Sequence, residues 1–542
     1  MPEIEINNLS FTYESRAEPA LNRVNLAIEG NEFVLLAGAS GSGKSTLLKC
    51  VNGLIPHRYL GRYSGEVRVR NRSVTKSRFL DLSLVIGTVL QETDKQLVSS
   101  IVEDDVAFGP GNLALPREEI VHRVERSLSS MGITDLRKRS IFALSGGQRQ
   151  RLAIADILAM EPDILLFDEP LANLDSNGVK LMRSIFRELH QSGKTVVVAE
   201  HRTEEVLHAK PTRVVIIDSG RIVGDSKDPE VLMDFGDILK IPAELILRSV
   251  PSRIRASLLG GVRVSAPPKI GEELIRVENL TFEYSGGIRA LDNINFAVHE
   301  GESVALLGNN GAGKSTLALC MIGLLKPSSG RVLVMRKDTR IVDTSQIARS
   351  VCLVFQNPFS MLFARTVREE LAFGPKNIGI PAADISRIAP EVAKRCSIDH
   401  LLEKSPFASS FGEKKRICVG SVLTMEPRCV ILDEPTAGQD YRSYSNFMSF
   451  IRSLQERVGS FIVITHDPDL AIEYTDRAVV LKDGKVIAEG RTKSVLADPK
   501  VLVQGAIRET SLITLSREIT GGISVLTLSE LVGASESKPA LK

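Results

Sequence analysis

Cysteine is scarce and scattered. Cys50, Cys320, Cys352, Cys396, Cys418 and Cys429 are the whole set in 542 residues, and no two of them form a C-x-x-C pair. That spacing excludes a disulfide framework and the usual zinc and iron–sulfur patterns, and a reducing compartment is the simplest expectation. Charge of one sign is also missing. Lys plus Arg number 68 against 66 Asp plus Glu, a net charge of +2, whereas a dedicated nucleic-acid binder carries a basic excess. No apolar run approaches the length needed to cross a bilayer. The opening MPEIEINNLS has no basic segment followed by an apolar one, so no secretory leader is expected.

What remains is ordinary globular composition, 43% apolar and 25% charged, in a chain long enough for several domains. It is internally repeated. Gly38-Ala-Ser-Gly-Ser-Gly-Lys-Ser-Thr46 recurs as Gly308-Asn-Asn-Gly-Ala-Gly-Lys-Ser-Thr316, Phe167-Asp-Glu-Pro170 as Leu432-Asp-Glu-Pro435, and Phe108-Gly-Pro110 as Phe373-Gly-Pro375. Gln91 and His201 have counterparts in Gln356 and His466, in the same order. Cys50 and Cys320 are also equivalent, each six residues beyond a P-loop lysine, a position that predicts core packing on a helix. Two domains follow, at 1–245 and 272–505. The stretch 246–271, broken by Pro251, Pro267 and Pro268, reads as a linker, and 506–542 as a tail without an assigned role.

The pattern is α/β. Phe33-Val-Leu-Leu-Ala37, Ile164-Leu-Leu-Phe167 and Thr195-Val-Val-Val-Ala199 are short, continuously apolar runs that suit buried parallel strands. Between the last two, Val179, Leu181, Met182, Ile185, Phe186 and Leu189 keep helical spacing. Val479–Ile487 predicts a hairpin turning at Asp483-Gly484.

GxxxxGK[ST] is the phosphate-binding loop pattern. Its glycines let the backbone wrap an anion, and the helix that follows adds a favourable dipole. Gly38, Ala39, Ser40, Gly41, Ser42, Gly43, Lys44, Ser45 and Thr46 are thus candidate ATP-binding residues. So are Gly308, Asn309, Asn310, Gly311, Ala312, Gly313, Lys314, Ser315 and Thr316. Lys44 and Lys314 are placed to reach the β- and γ-phosphates, and Ser45 and Ser315 to ligate Mg²⁺. Asp168 and Asp433 each end an apolar strand, where a carboxylate can hold the same ion. Glu169 and Glu434 follow as candidates to orient the attacking water.

With Leu144-Ser-Gly-Gly-Gln148 upstream of Asp168, the chain resembles two fused ATP-binding subunits of ATP-binding cassette (ABC) proteins. The resemblance implies two tandem P-loop ATPase domains, each a parallel-strand core with antiparallel β and helical subdomains. It makes Ser145, Gly146, Gly147 and Gln148 the signature, Gln91 and Gln356 the Q-loop glutamines, and His201 and His466 the switch histidines. It makes Ala172–Asp175 a D-loop, and Tyr13 and Tyr284 the rings that stack on adenine. ATP and Mg²⁺ are the implied ligands, and the two domains of one chain the implied ATPase pair. In ABC dimers each ATP lies between the P-loop of one domain and the signature of the other.

A finer resemblance lies in Gln96–Pro110 and Met361–Pro375, which are similar to the stretch before the signature in ATPases of energy-coupling factor (ECF) transporters and related cobalt and nickel importers. It implies a peripheral, prokaryotic ATPase on the cytoplasmic face of the membrane. The implied partners are a membrane coupling subunit and a small substrate-binding membrane subunit, and the implied cargo is a vitamin or a transition-metal ion. Two other readings are a twin-cassette ABC protein acting on ribosomes or nucleic acid, and the ATPase of another transporter class. The absent cysteine-rich domain, the short linker and the balanced charge argue against the first. The short tail, which cannot hold a regulatory domain, argues against a sugar importer.

The second copy departs from the pattern. Its signature is Ser409-Ser-Phe-Gly-Glu413: Ser410 and Gly412 remain, Phe411 replaces the first glycine, and Glu413 replaces the glutamine. Its D-loop, Ala437-Gly-Gln-Asp440, has Gln439 where leucine is usual. Both departures face the first P-loop in the ABC arrangement. Glycine allows positive φ and close approach, phenylalanine penalises both, and Glu413 adds negative charge near the γ-phosphate. The expectation is that the site of Lys44, Gln91, Asp168, Glu169 and His201 hydrolyses ATP more slowly than that of Lys314, Gln356, Asp433, Glu434 and His466.

Overall fold

A computed structural model describes all residues except 1, 15, 91–94, 172–173, 175, 250–270, 437–438, 440, 523, 528–529 and 531–542. Most of the predicted linker, Gln91, and most of both D-loops lie outside the described residues. The chain divides into two units, the first built on Met1–Leu245 and the second on Ile246–Ala437 and Ser443–Lys542.

Each unit holds a six-stranded sheet. In the first, the order is Arg221–Ser226, Arg213–Asp218, Phe33–Ala37, Thr195–Glu200, Ile164–Asp168, Ile86–Val89. In the second it is Lys485–Arg491, Arg477–Lys482, Ser303–Leu307, Ser460–Thr465, Cys429–Asp433, Val351–Val354. All neighbours are parallel except the terminal pair, which is antiparallel in each. The apolar runs read as strands are these strands. They are apolar throughout because both faces are covered: Cys429 and Ile431 enter one core cluster, Val430 and Leu432 the other. The second terminal pair is the predicted hairpin, with Asp483 at φ 48° and Gly484 at φ 75°, the two positive angles such a turn requires.

A four-stranded antiparallel sheet packs on each core. It orders Leu21–Ile28, Ile4–Tyr13, Gly61–Val69, Arg72–Ser73 in the first unit and Ile288–His299, Glu273–Tyr284, Ser329–Val334, Lys337–Asp338 in the second. The helix Lys44–Val51 joins the two sheets of the first unit: its Leu47 and Cys50 share one cluster with Ile4, Ile6, Leu36 and Leu166. Cys50 and Cys320 are fully buried on equivalent helices, and all six thiols are free and buried. The helix Ser176–Gln191 buries Val179, Met182, Ile185 and Phe186 as its spacing predicts. After the last strand, Ser511–Thr520 forms a further helix, and Leu512, Ile513, Val525 and Leu526 are buried on the second unit.

Candidate functional site

In each unit the central strand, Phe33–Ala37 or Ser303–Leu307, runs into a glycine-rich turn and then a helix beginning at Lys44 or Lys314. This is the carboxyl end of a parallel sheet, where open α/β folds bind ligands. The turn excludes side chains. Gly43 and Gly313 sit at φ 111° and 100°, and a Cβ on either would lie 2.7 or 2.6 Å from the carbonyl of Ala20 or Ala290. A Cβ on Gly38 would meet the Ile217 carbonyl at 2.3 Å. Lys44 Nζ donates to the carbonyls of Gly38 and Ala39, both at 2.8 Å, and Lys314 Nζ to those of Gly308 and Asn309 at 2.7 and 2.9 Å. Each lysine thus curls over its own loop. Buried Ser42 Oγ in the first loop has no hydrogen-bond partner; Ala312 replaces it in the second.

The next strand out, Ile164–Asp168 or Cys429–Asp433, brings its carboxylate to the same place. Ser45 Oγ donates to Asp168 Oδ1 at 2.8 Å, and Ser315 likewise bonds Asp433. Burial raises the Asp168 carboxyl to about 6 against the opposing bond from Ser45, and raises Asp433 in the same way. A hydroxyl and a carboxylate oxygen held together beside a lysine-lined, glycine-walled cradle fit Mg²⁺, a hard cation that accepts few protein ligands and completes its shell with phosphate and water. Glu169 and Glu434 follow at φ 47° and 45°, a left-handed conformation that glutamate adopts only when its surroundings impose it. Lys44 Nζ lies 3.9 Å from Glu169 Oε1.

The histidines differ between the units. His466 Nδ1 lies 2.9 and 3.0 Å from the two carboxylate oxygens of Glu434. His201 Nδ1 lies 3.2 Å from Glu200 and 3.8 Å from Glu169. Glu200 carries a role that the sequence motifs do not assign. It is fully buried and accepts from the backbone N–H of His201 and Arg202, and its counterpart in the second unit is Thr465. The signal was a charged residue ending an otherwise apolar strand run.

Tyr13 and Tyr284 reach their P-loop helices, each hydroxyl hydrogen-bonded to the threonine there, Thr46 at 3.3 Å and Thr316 at 3.0 Å. Each ring also meets edge-on the phenylalanine two residues earlier on its own strand, Phe11 or Phe282, so packing along the strand and a place beside the nucleotide loop coexist. Gln356 is exposed, two residues beyond the strand Val351–Val354.

Ser145 and Ser410 are the N-caps of Gly146–Ala159 and Phe411–Leu423, each closing a capping box with its third helical residue, Gln148 or Glu413. One of the costs expected for the second signature, backbone strain, is therefore absent. Phe411, like Gly146, is the first helical residue, and neither needs positive φ. Glu413 is drawn back onto its own cap: Oε2 accepts from Ser410 N at 2.7 Å, and these bonds, chiefly from Ser410, hold its carboxyl below the usual range. What survives of the expectation is the negative charge of Glu413 and the bulk of Phe411, which is 43% exposed. Gly147, Gly412, Gly41 and Gly311 have space on their Cβ side, nothing standing closer than 3.6 Å.

The family profile described as ABC transporter matches residues 21–172 and again 291–437. A protein of Caldanaerobacter subterraneus subsp. tengcongensis named as an ABC transporter ATP-binding protein is 36% identical over 566 residues, covering 98% of this chain and 99% of its own. One of the same description from Bacillus anthracis is 37% identical over 538 residues, 95% of each chain. Among solved structures, cbiO1 of Clostridium perfringens, described as part of the ABC transporter complex cbiONQ, is 39% identical and covers 44% of this chain and 96% of its own at a TM-score of 0.39.

Proposed function

The chain belongs to the ABC transporter family of ATP-binding proteins, and from that premise we propose that it is the ATPase that powers an ECF-type importer of a vitamin or transition-metal ion. Its two domains are ATPase domains of that family. The observation that carries the finer reading is the segment before each signature. Gln96–Pro110 and Met361–Pro375 carry the ECF-like sequence and present Val98 and Phe108, and Phe363 and Phe373, to solvent at about half exposure or more. Phe363 and Phe373 meet edge to face at 4.5 Å, an exposed aromatic pair of the kind that seats against a partner. No helix among the described residues is long and apolar enough to cross a membrane, so on this reading separate membrane subunits form the path.

The chemistry is phosphoryl transfer to water, in which positioning and charge stabilisation supply most of the acceleration. Lys44 and Lys314 exchange their loop carbonyls for phosphate oxygens. Ser45 with Asp168, and Ser315 with Asp433, would hold Mg²⁺, which would supply positive charge to the phosphates. Glu169 and Glu434 orient the water, His201 and His466 contact the γ-phosphate, and Ser145 and Ser410 complete the phosphate cage when the domains close. Tyr13 and Tyr284 stack on adenine, and Gln91 and Gln356 pass the change to the membrane subunits.

The two sites are unequal on this reading. Glu434 is gripped by His466 on both oxygens, whereas His201 Nδ1 stands 3.8 Å from Glu169 without a hydrogen bond, and the ABC arrangement would give the first P-loop the signature carrying Phe411. Glu434→Gln is expected to remove most steady-state ATP hydrolysis and Glu169→Gln a minor part; equal losses refute the asymmetry. The transport reading is tested by purifying the tagged chain from native membranes in mild detergent. A polytopic subunit and a small hydrophobic binding protein should co-elute, and ribosomal proteins in their place would overturn it.

A further inference from the structure

The signature helix of the second unit carries a buried cation where that of the first carries an amide. Gln150 Nε2 donates to the carbonyl of Pro170, the residue after Glu169. At the equivalent position Lys415, 4% exposed, donates from Nζ to the carbonyl of Pro435, the residue after Glu434. Both bonds close a short bridge from the signature helix to a turn whose glutamate is held at positive φ. That conformation costs energy and persists only where its surroundings over-determine it, and this donor is one of the restraints.

In the second unit the restraint is charged. The Phe411 ring covers the ammonium, 5.1 Å from its centroid. The phenylalanine that breaks the family signature therefore has a partner, and Phe411 and Lys415 form one local arrangement. Burial pulls the Lys415 ammonium down to about 8, while Glu434 acts to keep it protonated. Cys418 is itself pushed up to about 12, chiefly by burial with Glu370 adding to it. Glu434 in turn faces His466, and both Glu434 and Asp433 bear on Lys314.

We propose that Lys415 is a positioning residue for Glu434, a charged clamp between the second signature helix and the turn that aims the water-orienting carboxylate. The proposal rests on Glu434 having that role. It makes turnover at the second P-loop depend on a cation that the first P-loop lacks. Turnover there should be highest with Lys415 protonated and should fall as pH rises through about 8.

The test uses the full chain carrying Glu169→Gln, so that hydrolysis at the second P-loop is read alone. Lys415→Gln keeps a donor for the Pro435 carbonyl, as Gln150 does for Pro170, and removes only the charge. The expected result is kcat lowered by about tenfold, less than the roughly 10²–10³ that losing a donor in contact with the reacting atoms costs because Lys415 acts through Glu434, with KM for ATP within about twofold and the fall near pH 8 gone. Lys415→Met, which also removes the donor, should lower kcat further. A Lys415→Gln profile that superimposes on its parent overturns the proposal. If Glu169→Gln hydrolyses no faster than the Glu169→Gln, Glu434→Gln double variant, the role of Glu434 fails instead. The clamp is then judged by side-chain ¹⁵N NMR of Lys415: its titration should drop below about 8 in Glu434→Gln, and an unchanged titration refutes the contact.

Discussion

Asp168 shows how one residue can serve function against stability. Its carboxyl is raised from 3.8 to about 6 because burial outweighs the Ser45 hydrogen bond. A carboxyl that holds its proton more tightly in the folded state favours folding fully below 3.8, and that contribution is lost as pH rises through about 6. At neutral pH the chain therefore carries a buried carboxylate that Ser45 and the neighbouring Lys44 compensate only in part, and that Mg²⁺ would neutralise. Asp168→Asn keeps an acceptor for Ser45 and removes the charge. In EDTA at neutral pH it should raise the stability of the first unit by about 1–3 kcal/mol, the scale of a shift of this size. The gain should vanish below pH 4, and Mg²⁺-dependent hydrolysis at the first P-loop should be lost. Calorimetry that finds the variant less stable than the parent at neutral pH refutes this account. Such a carboxylate was legible in sequence as the polar end of an apolar strand. Glu200, the same kind of signal, was missed because its role lies in the backbone N–H groups of His201 and Arg202 that close around it.

At the scale of the element, the P-loop is defined by where a Cβ has no room. Gly43→Ala meets the Ala20 carbonyl at 2.7 Å on top of a φ of 111°. Gly41→Ala carries a φ of 77° with nothing within 4 Å. The first should cost about 1–3 kcal/mol or more and weaken ATP binding more than about tenfold, and the second only the strain of its φ. Denaturant melts with nucleotide titrations separate the two, and equal effects would mean the crowding is relieved. The signature helices teach the complementary lesson. Glu413 in place of glutamine looked like charge introduced at a phosphate site, yet it closes the same capping box as Gln148. Glu413→Gln should therefore change stability by under about 0.5 kcal/mol. A larger loss would show that its ion pair with His400, at 3.5 Å, matters more than the cap.

At the scale of the whole chain, the described residues of the tail belong to the second unit's fold. Thr510 caps the helix Ser511–Thr520 and bonds Asp469 at 2.5 Å. Val525 N reaches the Lys493 carbonyl, and Lys493 pairs with Glu530 at 2.6 Å. Four buried apolar side chains at about 1.5 kcal/mol each make truncation after Ala506 cost several kcal/mol. Only the second unit's thermal transition should fall, and an unchanged transition would show that the helix adds nothing. Composition offered no sign of this, because a Ser/Thr-rich helix with a narrow apolar stripe looks like a polar tail until the surface that receives it is known.

The sequence by itself determined the repeat, the two P-loops, the strand tips that bear Asp168 and Asp433, the hairpin at Asp483-Gly484 and the helical cysteines. Each depends on local rules: a glycine where φ must be positive, an apolar run where both sheet faces are covered, a turn pair between strands. Tertiary structure alone decided that His466 bonds Glu434 while His201 Nδ1 does not bond Glu169, the burial of Leu512, Ile513, Val525 and Leu526, and the placing of Lys415 against Pro435. The contacts of His466 with Glu434 and of Lys415 with Pro435 join residues on different elements, 32 and 20 apart in sequence. Their strength comes from burial, and burial is a property of what surrounds a residue rather than of the residue itself.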